Sequence, residues 1–99
     1  MIYVYFLKLS NGDIYKGLTE SISRRIEEHK RGSVESTRNY RPFTFIGYEA
    51  FKLKTDAERR EKFLKSTEGL RLLKLQYKDI LEASTKFSCE AYPILGDVA

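Results

Sequence analysis

The chain has 99 residues, enough for one domain but too few to divide into two units that each bury a core. Its formal net charge of +4 permits a polyanionic partner without requiring one. No apolar run approaches about 18 residues and the N-terminus lacks a basic segment, so we expect neither a membrane span nor a signal peptide. With a single cysteine, Cys89, no internal disulfide can form, and together these features predict a cytoplasmic protein.

The N-terminal segment predicts a β-hairpin. Residues Ile2 to Leu9 are rich in β-branched and aromatic side chains and predict a first strand, and residues 13–18 predict a second. Ser10-Asn11-Gly12 between them has the composition of a turn. The length of this turn decides which side chains share a face, because a shift of one residue moves every side chain of a strand to the other face.

Two turn lengths are compatible with the hairpin sequence. A two-residue Asn11-Gly12 turn would place Tyr5 and Tyr15 on opposite faces. A three-residue loop, with Gly12 in the left-handed conformation, pairs Leu9 with residue 13 instead. We predict the three-residue loop because it collects the strand tyrosines on one face, which then holds Tyr3, Tyr5, Leu7, Tyr15 and Gly17.

A helix, a loop and a third strand are predicted next. The helix should extend from about residue 20 to residue 31, with Thr19 or Ser21 as its N-cap. Residues 32–42 are polar and basic and contain Gly and Pro, which predicts a loop. Residues 43–53 carry Phe, Ile and Tyr in a run and predict the third strand.

The second half of the chain predicts two further helices. Thr55-Asp56-Ala57-Glu58 fits a capping box that begins a helix extending to about Lys65. Apolar residues at helical spacing predict a third helix that contributes to the core, namely Leu70, Leu73, Tyr77, Ile80 and Leu81.

The predicted element order is therefore ββαβαα. This order is typical of an α+β domain with a small three-stranded antiparallel sheet flanked by helices. We expect the domain to span residues 1–84 and residues 85–99 to form a loose C-terminal tail, since the apolar pattern ends near Ala83 and Pro93 and Gly96 follow. Cys89 lies in that tail with no histidine nearby in the sequence, and we interpret it as inert.

Three ionisable residues occur on apolar helix faces. At roughly 100° per residue, Arg25 and His29 share the inward face of the first helix, and Glu61 lies between Ala57 and Leu64 on that of the second. Burying an arginine or a glutamate costs on the order of several kcal/mol unless it is paired or lies in a wet cleft. Two interpretations follow: an Arg25–Glu61 buried ion pair beside a core histidine, or a cleft in which Glu61 holds a divalent metal and Arg25 faces a phosphate.

Basic residues are concentrated in the middle of the chain. Residues 21–65 carry five more basic than acidic side chains, an excess larger than that of the whole chain. Within the predicted loop and the end of the first helix, Lys30, Arg38 and Arg41, with Tyr40, suit phosphate contacts combined with base stacking. A solvated surface would carry the same charges, so charge alone does not separate the two interpretations.

The residues singled out above follow one another in a recognisable order: Tyr3-Val4-Tyr5, Tyr15-Lys16-Gly17, Arg25, His29 and Glu61. This order and spacing resemble the GIY-YIG nuclease superfamily. The loop at residues 36–42 is similar to that of its small stand-alone bacterial members, which are often described as similar to the N-terminal nuclease domain of an excinuclease. The resemblance extends over about residues 2–80.

The resemblance implies a metal-dependent endonuclease that hydrolyses phosphodiester bonds with one divalent cation, Mg²⁺ or Mn²⁺. It makes Arg25 the residue that binds the scissile phosphate and Glu61 the metal ligand, and it places His29 where the family has His or Tyr. Tyr5 and Tyr15 become the two motif tyrosines. Either Tyr15, or Tyr5 helped by His29, would then act on the attacking water.

The resemblance also implies a role for the motif glycine and a class of partner. Gly17 would let its strand approach the first helix without an intervening side chain. The partner implied is nucleic acid, DNA in preference to RNA, in DNA repair or processing. Because 99 residues leave no room for a second, targeting domain, we also expect a protein partner for targeting. The alternative is a non-catalytic or weakly catalytic module that binds nucleic-acid structure.

Overall fold

A computed structural model describes residues 1–83, so the predicted tail at residues 85–99 and Cys89 lie outside the described residues. The elements are, in chain order, β1 (Ile2–Lys8), β2 (Ile14–Thr19), α1 (Ile22–Arg31), a 3₁₀ helix (Arg38–Tyr40), β3 (Thr44–Phe51), α2 (Lys54–Leu64), α3 (Thr67–Gln76) and α4 (Lys78–Ala83). This order confirms the predicted ββαβαα arrangement, with the third predicted helix divided into α3 and α4. No helix within residues 1–83 has the length and apolar composition needed to cross a membrane.

The three strands form one antiparallel sheet with the order β2-β1-β3, as predicted. The three-residue hairpin loop is confirmed, because Tyr5 pairs with Gly17 in the register between β1 and β2. The amide of Leu9 donates to the Asp13 carbonyl oxygen at 2.8 Å, and Gly12 has a φ of 92°. A left-handed residue at this position is what allows the third loop residue to be accommodated.

The sheet separates two apolar clusters. We call the side of the sheet covered by α1 the α1 face. Its cluster consists of Tyr5, Leu7, Leu9, Ile22, Ile26, Phe43 and Phe45. We call the side covered by α2 and α3 the α2 face. Its cluster consists of Val4, Phe6, Ile14, Ile46, Ala57, Leu64 and Leu73. Because successive side chains of a strand point to opposite faces, the central strand β1 contributes alternate residues to the two clusters.

The helix termini confirm one predicted cap and correct another. α1 begins after Ser21, whose hydroxyl accepts a hydrogen bond from the Arg24 amide at 3.4 Å, and ends at Gly32 with a φ of 79°. α2 begins at Lys54, one residue before the predicted cap, and no side chain within residues 1–83 caps its first turn. The predicted capping box at Thr55 is therefore wrong. Asp56 instead places a negative charge in the first turn, where its interaction with the helix dipole stabilises the helix.

The third predicted helix is interrupted at Tyr77. Its ring packs against Phe6 with the centroids 5.3 Å apart, and its amide donates to the Leu73 carbonyl oxygen at 3.0 Å. The predicted contribution of this segment to the core is nevertheless confirmed, because the five predicted apolar residues belong to or pack against the α2-face cluster, namely Leu70, Leu73, Tyr77, Ile80 and Leu81.

Candidate active site

Three polar side chains meet on the α1 face. The Tyr5 hydroxyl accepts a hydrogen bond from Arg25 Nε at 3.2 Å and lies 2.7 Å from His29 Nε2. Tyr5 and His29 are fully buried, whereas the side chain of Arg25 is 32% exposed. The buried pair therefore continues to the protein surface through the guanidinium group.

Tyr15 completes this group from the edge strand. Its ring centroid lies 5.2 Å from that of His29 and 6.1 Å from that of Tyr5, and its side chain is only partly buried. The hairpin register places Tyr15 on the same face as Tyr5, and Arg25 lies one helical turn before His29 on α1. The structure thus brings together four of the five predicted catalytic residues: Tyr5, Tyr15, Arg25 and His29.

Gly17 provides space for the Tyr5 ring. A Cβ atom at Gly17 would lie 2.6 Å from both Cζ and the hydroxyl oxygen of Tyr5, closer than real Cβ contacts allow. The predicted reason for this glycine, close approach of β2 to the first helix, is therefore corrected, because the three atoms nearest to the missing side chain all belong to Tyr5. Gly17 acts by letting the phenol occupy the position beside the β2 backbone.

Burial determines the protonation states at the centre of the site. It raises the pKa of Tyr5 well above its usual range, and the neighbouring Tyr15 adds to this effect. Burial, with a further contribution from the charge of Arg25, lowers the pKa of His29 to about 4. The hydrogen bond to Glu28 raises the pKa of Arg25. At neutral pH the site therefore holds one permanent cation next to a neutral phenol and a neutral imidazole.

Two residues of this site were missed by the sequence analysis. Glu28 accepts a hydrogen bond from Arg25 Nη1 at 2.9 Å, and this bond lowers the pKa of Glu28. Thr37 is fully buried, and its hydroxyl lies 2.7 Å from His29 Nδ1. The i,i+3 spacing of Arg25 and Glu28 could have revealed the first contact. The second joins a helix to the following loop and has no comparable local signal.

The predicted alternative of a buried Arg25–Glu61 ion pair is not what the structure contains. Arg25 pairs with Glu28, and Glu61 lies 3.7 Å from Lys65 Nζ. The two predicted partners belong to helices on opposite faces of the sheet. The charge of Arg25 is therefore balanced by Glu28, which lies on the same helix.

Glu61 lies on α2, outside the hydrogen-bonded group, and its ion pair is with Lys65. Helical spacing puts it on the same side of α2 as Lys54 and Glu58, which line a cleft with Leu18 and Thr19 at the end of β2. Its side chain is 20% exposed. The helix that carries Glu61 contacts the edge strand β2, which presents Tyr15 on the opposite, α1 side of the sheet.

The side chains available as ligands determine which metal ion could bind near Glu61. Within residues 1–83, no group of three or more His, Cys, Asp or Glu side chains is arranged to hold an ion. Magnesium usually retains several waters and needs only one or two carboxylates. Glu61 has a partly exposed carboxylate whose ion pair with Lys65 is long, so it fits as the single protein ligand of such a cation.

The four predicted nucleic-acid-binding residues lie around the end of α1. Arg41 donates to the carbonyl oxygens of Arg38 and Lys30, both at 2.9 Å, and so fastens the loop to the helix. Arg38 and Tyr40 are exposed on the 3₁₀ helix, and Lys30 pairs with Glu27 at 3.4 Å. The contacts of these residues with nucleic acid stay predictions. The loop that carries three of them is joined to the site through Thr37, which precedes the 3₁₀ helix and is hydrogen-bonded to His29.

Several known proteins are similar to this chain in sequence and fold. Residues 1–74 match the family model described as the GIY-YIG catalytic domain. The UPF0213 protein CPE1444 of Clostridium perfringens is 33% identical over 84 residues, covering 83% of this chain and 90% of its own, and a UPF0213 protein of Staphylococcus aureus is 33% identical over 76 residues, covering 73% and 93%. The solution NMR structure of a UPF0213 protein from Bacillus halodurans is 34% identical, with a TM-score of 0.51, and the match covers 78% of this chain and 87% of that one.

By these matches the chain belongs to the GIY-YIG family, a nuclease superfamily. Within that family, the relatives named above are UPF0213 proteins, which form a small stand-alone group. Membership in this family implies that the domain binds nucleic acid.

Proposed function

We propose that this protein is a metal-dependent endonuclease that hydrolyses phosphodiester bonds in nucleic acid, DNA rather than RNA, during repair or processing. The observation that supports this most is the convergence of Arg25 and His29 on the hydroxyl of Tyr5, beside the partly exposed Tyr15. A cation that reaches the surface from such a group is suited to a phosphate ligand. A cytoplasmic location and a protein partner for targeting are part of the same proposal.

Arg25 would bind the scissile phosphate. Its bonds to Tyr5 and Glu28 use Nε and Nη1, and neither of them uses Nη2. These two bonds hold the guanidinium plane in one orientation while its side chain stays partly exposed. A preorganised cation of this kind stabilises the negative charge that grows on the phosphoryl oxygens in the transition state.

Tyr15 would act on the attacking water. Tyr5 is 1% exposed and burial raises its pKa, whereas Tyr15 is partly exposed in the same group. In the proposed reaction, the Tyr15 oxygen takes a proton from water and releases its own phenol proton to solvent, while the water oxygen forms a bond to phosphorus. The bond between phosphorus and the leaving oxygen breaks, and that oxygen takes up a proton from solvent. Tyr5 and His29 stay neutral and orient their neighbours.

Glu61 would hold Mg²⁺ or Mn²⁺, which when bound supplies positive charge for the leaving oxygen. Because α2 contacts the edge strand β2, we propose that the substrate backbone passes over this edge and meets both sides of the sheet. Lys30, Arg38 and Arg41 would contact flanking phosphates, with Tyr40 stacking on a base.

The second candidate is a module that binds nucleic-acid structure and cleaves weakly or not at all. The position of Glu61 favours it, because this carboxylate pairs with Lys65 and stands apart from the hydrogen-bonded group. A cleavage assay separates the two candidates.

The experiment is magnesium-dependent cleavage of supercoiled plasmid, branched DNA and single-stranded DNA, with EDTA as the blank. We expect nicking by the wild type and a loss of about 10²–10³-fold in Arg25→Ala. Arg71→Ala is the matched control, because Arg71 pairs with Glu68 at the same i,i+3 spacing on α3, and its rate should equal that of the wild type. Tight, salt-sensitive binding without cleavage in Mg²⁺ or Mn²⁺ would replace the nuclease with the binding module.

A further inference from the structure

The side chain of Arg41 joins the 3₁₀ helix to the end of α1. Its Nη1 donates to the Lys30 carbonyl oxygen in the last turn of α1, and its Nε donates to the Arg38 carbonyl oxygen of the 3₁₀ helix, both at 2.9 Å. The last four carbonyl groups of a helix have no partner within the helix, so the first bond satisfies one of them. It also places a positive charge at the negative end of the helix dipole. One planar cation therefore holds two elements together.

Gly32, the residue after α1, provides the space for this guanidinium group. A Cβ atom at Gly32 would lie 2.9 Å from Cζ of Arg41 and 3.0 Å from both of its Nη atoms. Gly32 has a φ of 79°, and Gly12 in the hairpin loop has a similar φ of 92°. At Gly12, however, no atom of residues 1–83 beyond its two chain neighbours would lie within 4 Å of an added Cβ atom. The two glycines therefore share a left-handed backbone and differ in whether a side chain would meet Arg41.

The segment that Arg41 holds carries a residue of the candidate site. Thr37 immediately precedes the 3₁₀ helix, and its hydroxyl oxygen lies 2.7 Å from Nδ1 of His29. The amides of Thr37 and Arg38 both donate to the Val34 carbonyl oxygen, at 3.2 and 3.0 Å, so the two residues belong to one hydrogen-bonded turn. Because Arg41 holds the carbonyl group of Arg38, it also restricts the position of Thr37, which is fully buried.

We propose that Arg41 is a positioning residue that holds the loop between α1 and β3 on the end of α1 and so keeps Thr37 against His29. This role is additional to the phosphate contact proposed for Arg41, since its side chain is exposed. Its effect on catalysis rests on the proposed nuclease function, in which His29 orients its neighbours. The loop then serves two purposes, because it presents Arg38 to nucleic acid and supports the buried side of the site.

The NMR signals of the His29 ring test this role in the full chain. His29 is the single histidine of the sequence, so histidine ring signals belong to it alone. Arg41→Ala should shift these signals, because Thr37 is then no longer held in place. Arg38→Ala is the matched control, since it removes a charge from the same loop but leaves the carbonyl group that Arg41 binds, and the ring signals should not change. Unchanged ring signals in Arg41→Ala, or equal shifts in the two variants, would overturn the proposal.

The two left-handed glycines supply a test that leaves every charge in place, and they decide the matter if Arg41→Ala does not fold. Gly12→Ala should lower the Tm by about 4–8 °C from backbone strain alone. Gly32→Ala carries the same strain and also displaces the guanidinium group, so it should lower the Tm further and shift the His29 ring signals. In an Arg41→Ala background the two glycine substitutions should have equal effects. Equal effects on the Tm and on the ring signals in the wild-type background would overturn the proposal.

Plasmid-nicking kinetics separate positioning from binding. Arg38→Ala should raise KM and leave kcat unchanged, as expected for a residue that only binds the substrate. Gly32→Ala keeps every charge, so KM should stay near the wild-type value while kcat falls about tenfold, within the roughly 10²-fold that a small misplacement of a catalytic group can cost. A wild-type kcat in Gly32→Ala would overturn the catalytic part of the proposal. If the wild type does not nick any substrate, the nuclease proposal fails, while the ring signals and the Tm values still decide the role of Arg41.

Discussion

The two faces of the sheet use the same strands for different purposes. On the α2 face the buried cluster is apolar, and Val4, Phe6 and Leu64 have no exposed surface. On the α1 face the buried set includes His29, which is hydrogen-bonded to Tyr5, and Thr37, which is hydrogen-bonded to His29. Because β1 alternates between the faces, residues adjacent in sequence serve stability on one side and the candidate chemistry on the other.

The largest effect on stability is expected on the α2 face. Phe6→Ala should lower the free energy of unfolding by about 3–5 kcal/mol, because the ring is fully buried against Tyr77 and its removal leaves a cavity. Urea denaturation measures this loss. Activity per folded molecule should stay near the wild-type value, and a cost below about 1 kcal/mol would show that the α2 face is not the main source of stability.

The next largest effect is a pH dependence that comes from the α1 face. The pKa of His29 is about 4 in the folded chain against 6.5 for an unperturbed histidine. As the pH falls below 6.5 the unfolded chain binds a proton that the folded chain excludes. The free energy of unfolding therefore decreases until the pH approaches 4, by roughly 3 kcal/mol in total. Denaturation at several pH values should show this decrease, and His29→Gln should remove it. A profile that is flat between pH 6.5 and 4 would contradict the buried neutral imidazole.

Alanine substitutions at two glycines, one on each face of the sheet, compare the two faces directly. Gly17→Ala should cost about 1–3 kcal/mol and abolish cleavage, because the new Cβ atom displaces the Tyr5 ring. In Gly47→Ala the new Cβ atom would lie 2.9 Å from Tyr77 Cε1 on the α2 face, so the variant should lose stability but retain its cleavage rate per folded molecule. Equal losses of activity in the two variants would contradict the separation of roles.

The smallest effect on stability is expected at Arg25. Its pairing with Glu28 is partly exposed, so Arg25→Ala should lower the free energy of unfolding by only about 1 kcal/mol even though cleavage is lost. A loss of about 3–5 kcal/mol is what removal of one partner from a buried ion pair would produce. Thermal or urea unfolding of this variant distinguishes the two, and the larger value would indicate a structural role for Arg25.

Several of these features could be predicted from the sequence because their signals are local. The hairpin register followed from collecting the tyrosines on one face, and the 3.6-residue period identified the inward position of Arg25 and His29. The start of α2 was predicted incorrectly because the Thr55 pattern is typical of a cap but the helix already includes that residue. Helix boundaries depend on tertiary packing as well as on local propensity.

The remaining features depend on contacts between distant parts of the chain. Periodicity predicts that Glu61 lies on the inward side of its helix, but it cannot show which face of the sheet that helix covers, and α2 packs on the face opposite to Arg25. The bond between Thr37 and His29 crosses from a helix to a loop and depends on how that loop folds back. Such contacts are set by three-dimensional packing rather than by sequence spacing.

The plasmid-nicking rate as a function of magnesium concentration tests most directly whether the α1-face residues and Glu61 form one hydrolytic site. We expect the wild-type rate to rise to a plateau with Mg²⁺, and Glu61→Gln to be at least about 100-fold slower at every concentration while it unfolds at the same temperature. Nicking that persists in EDTA, or a Glu61→Gln variant that cleaves as fast as the wild type, would contradict this site.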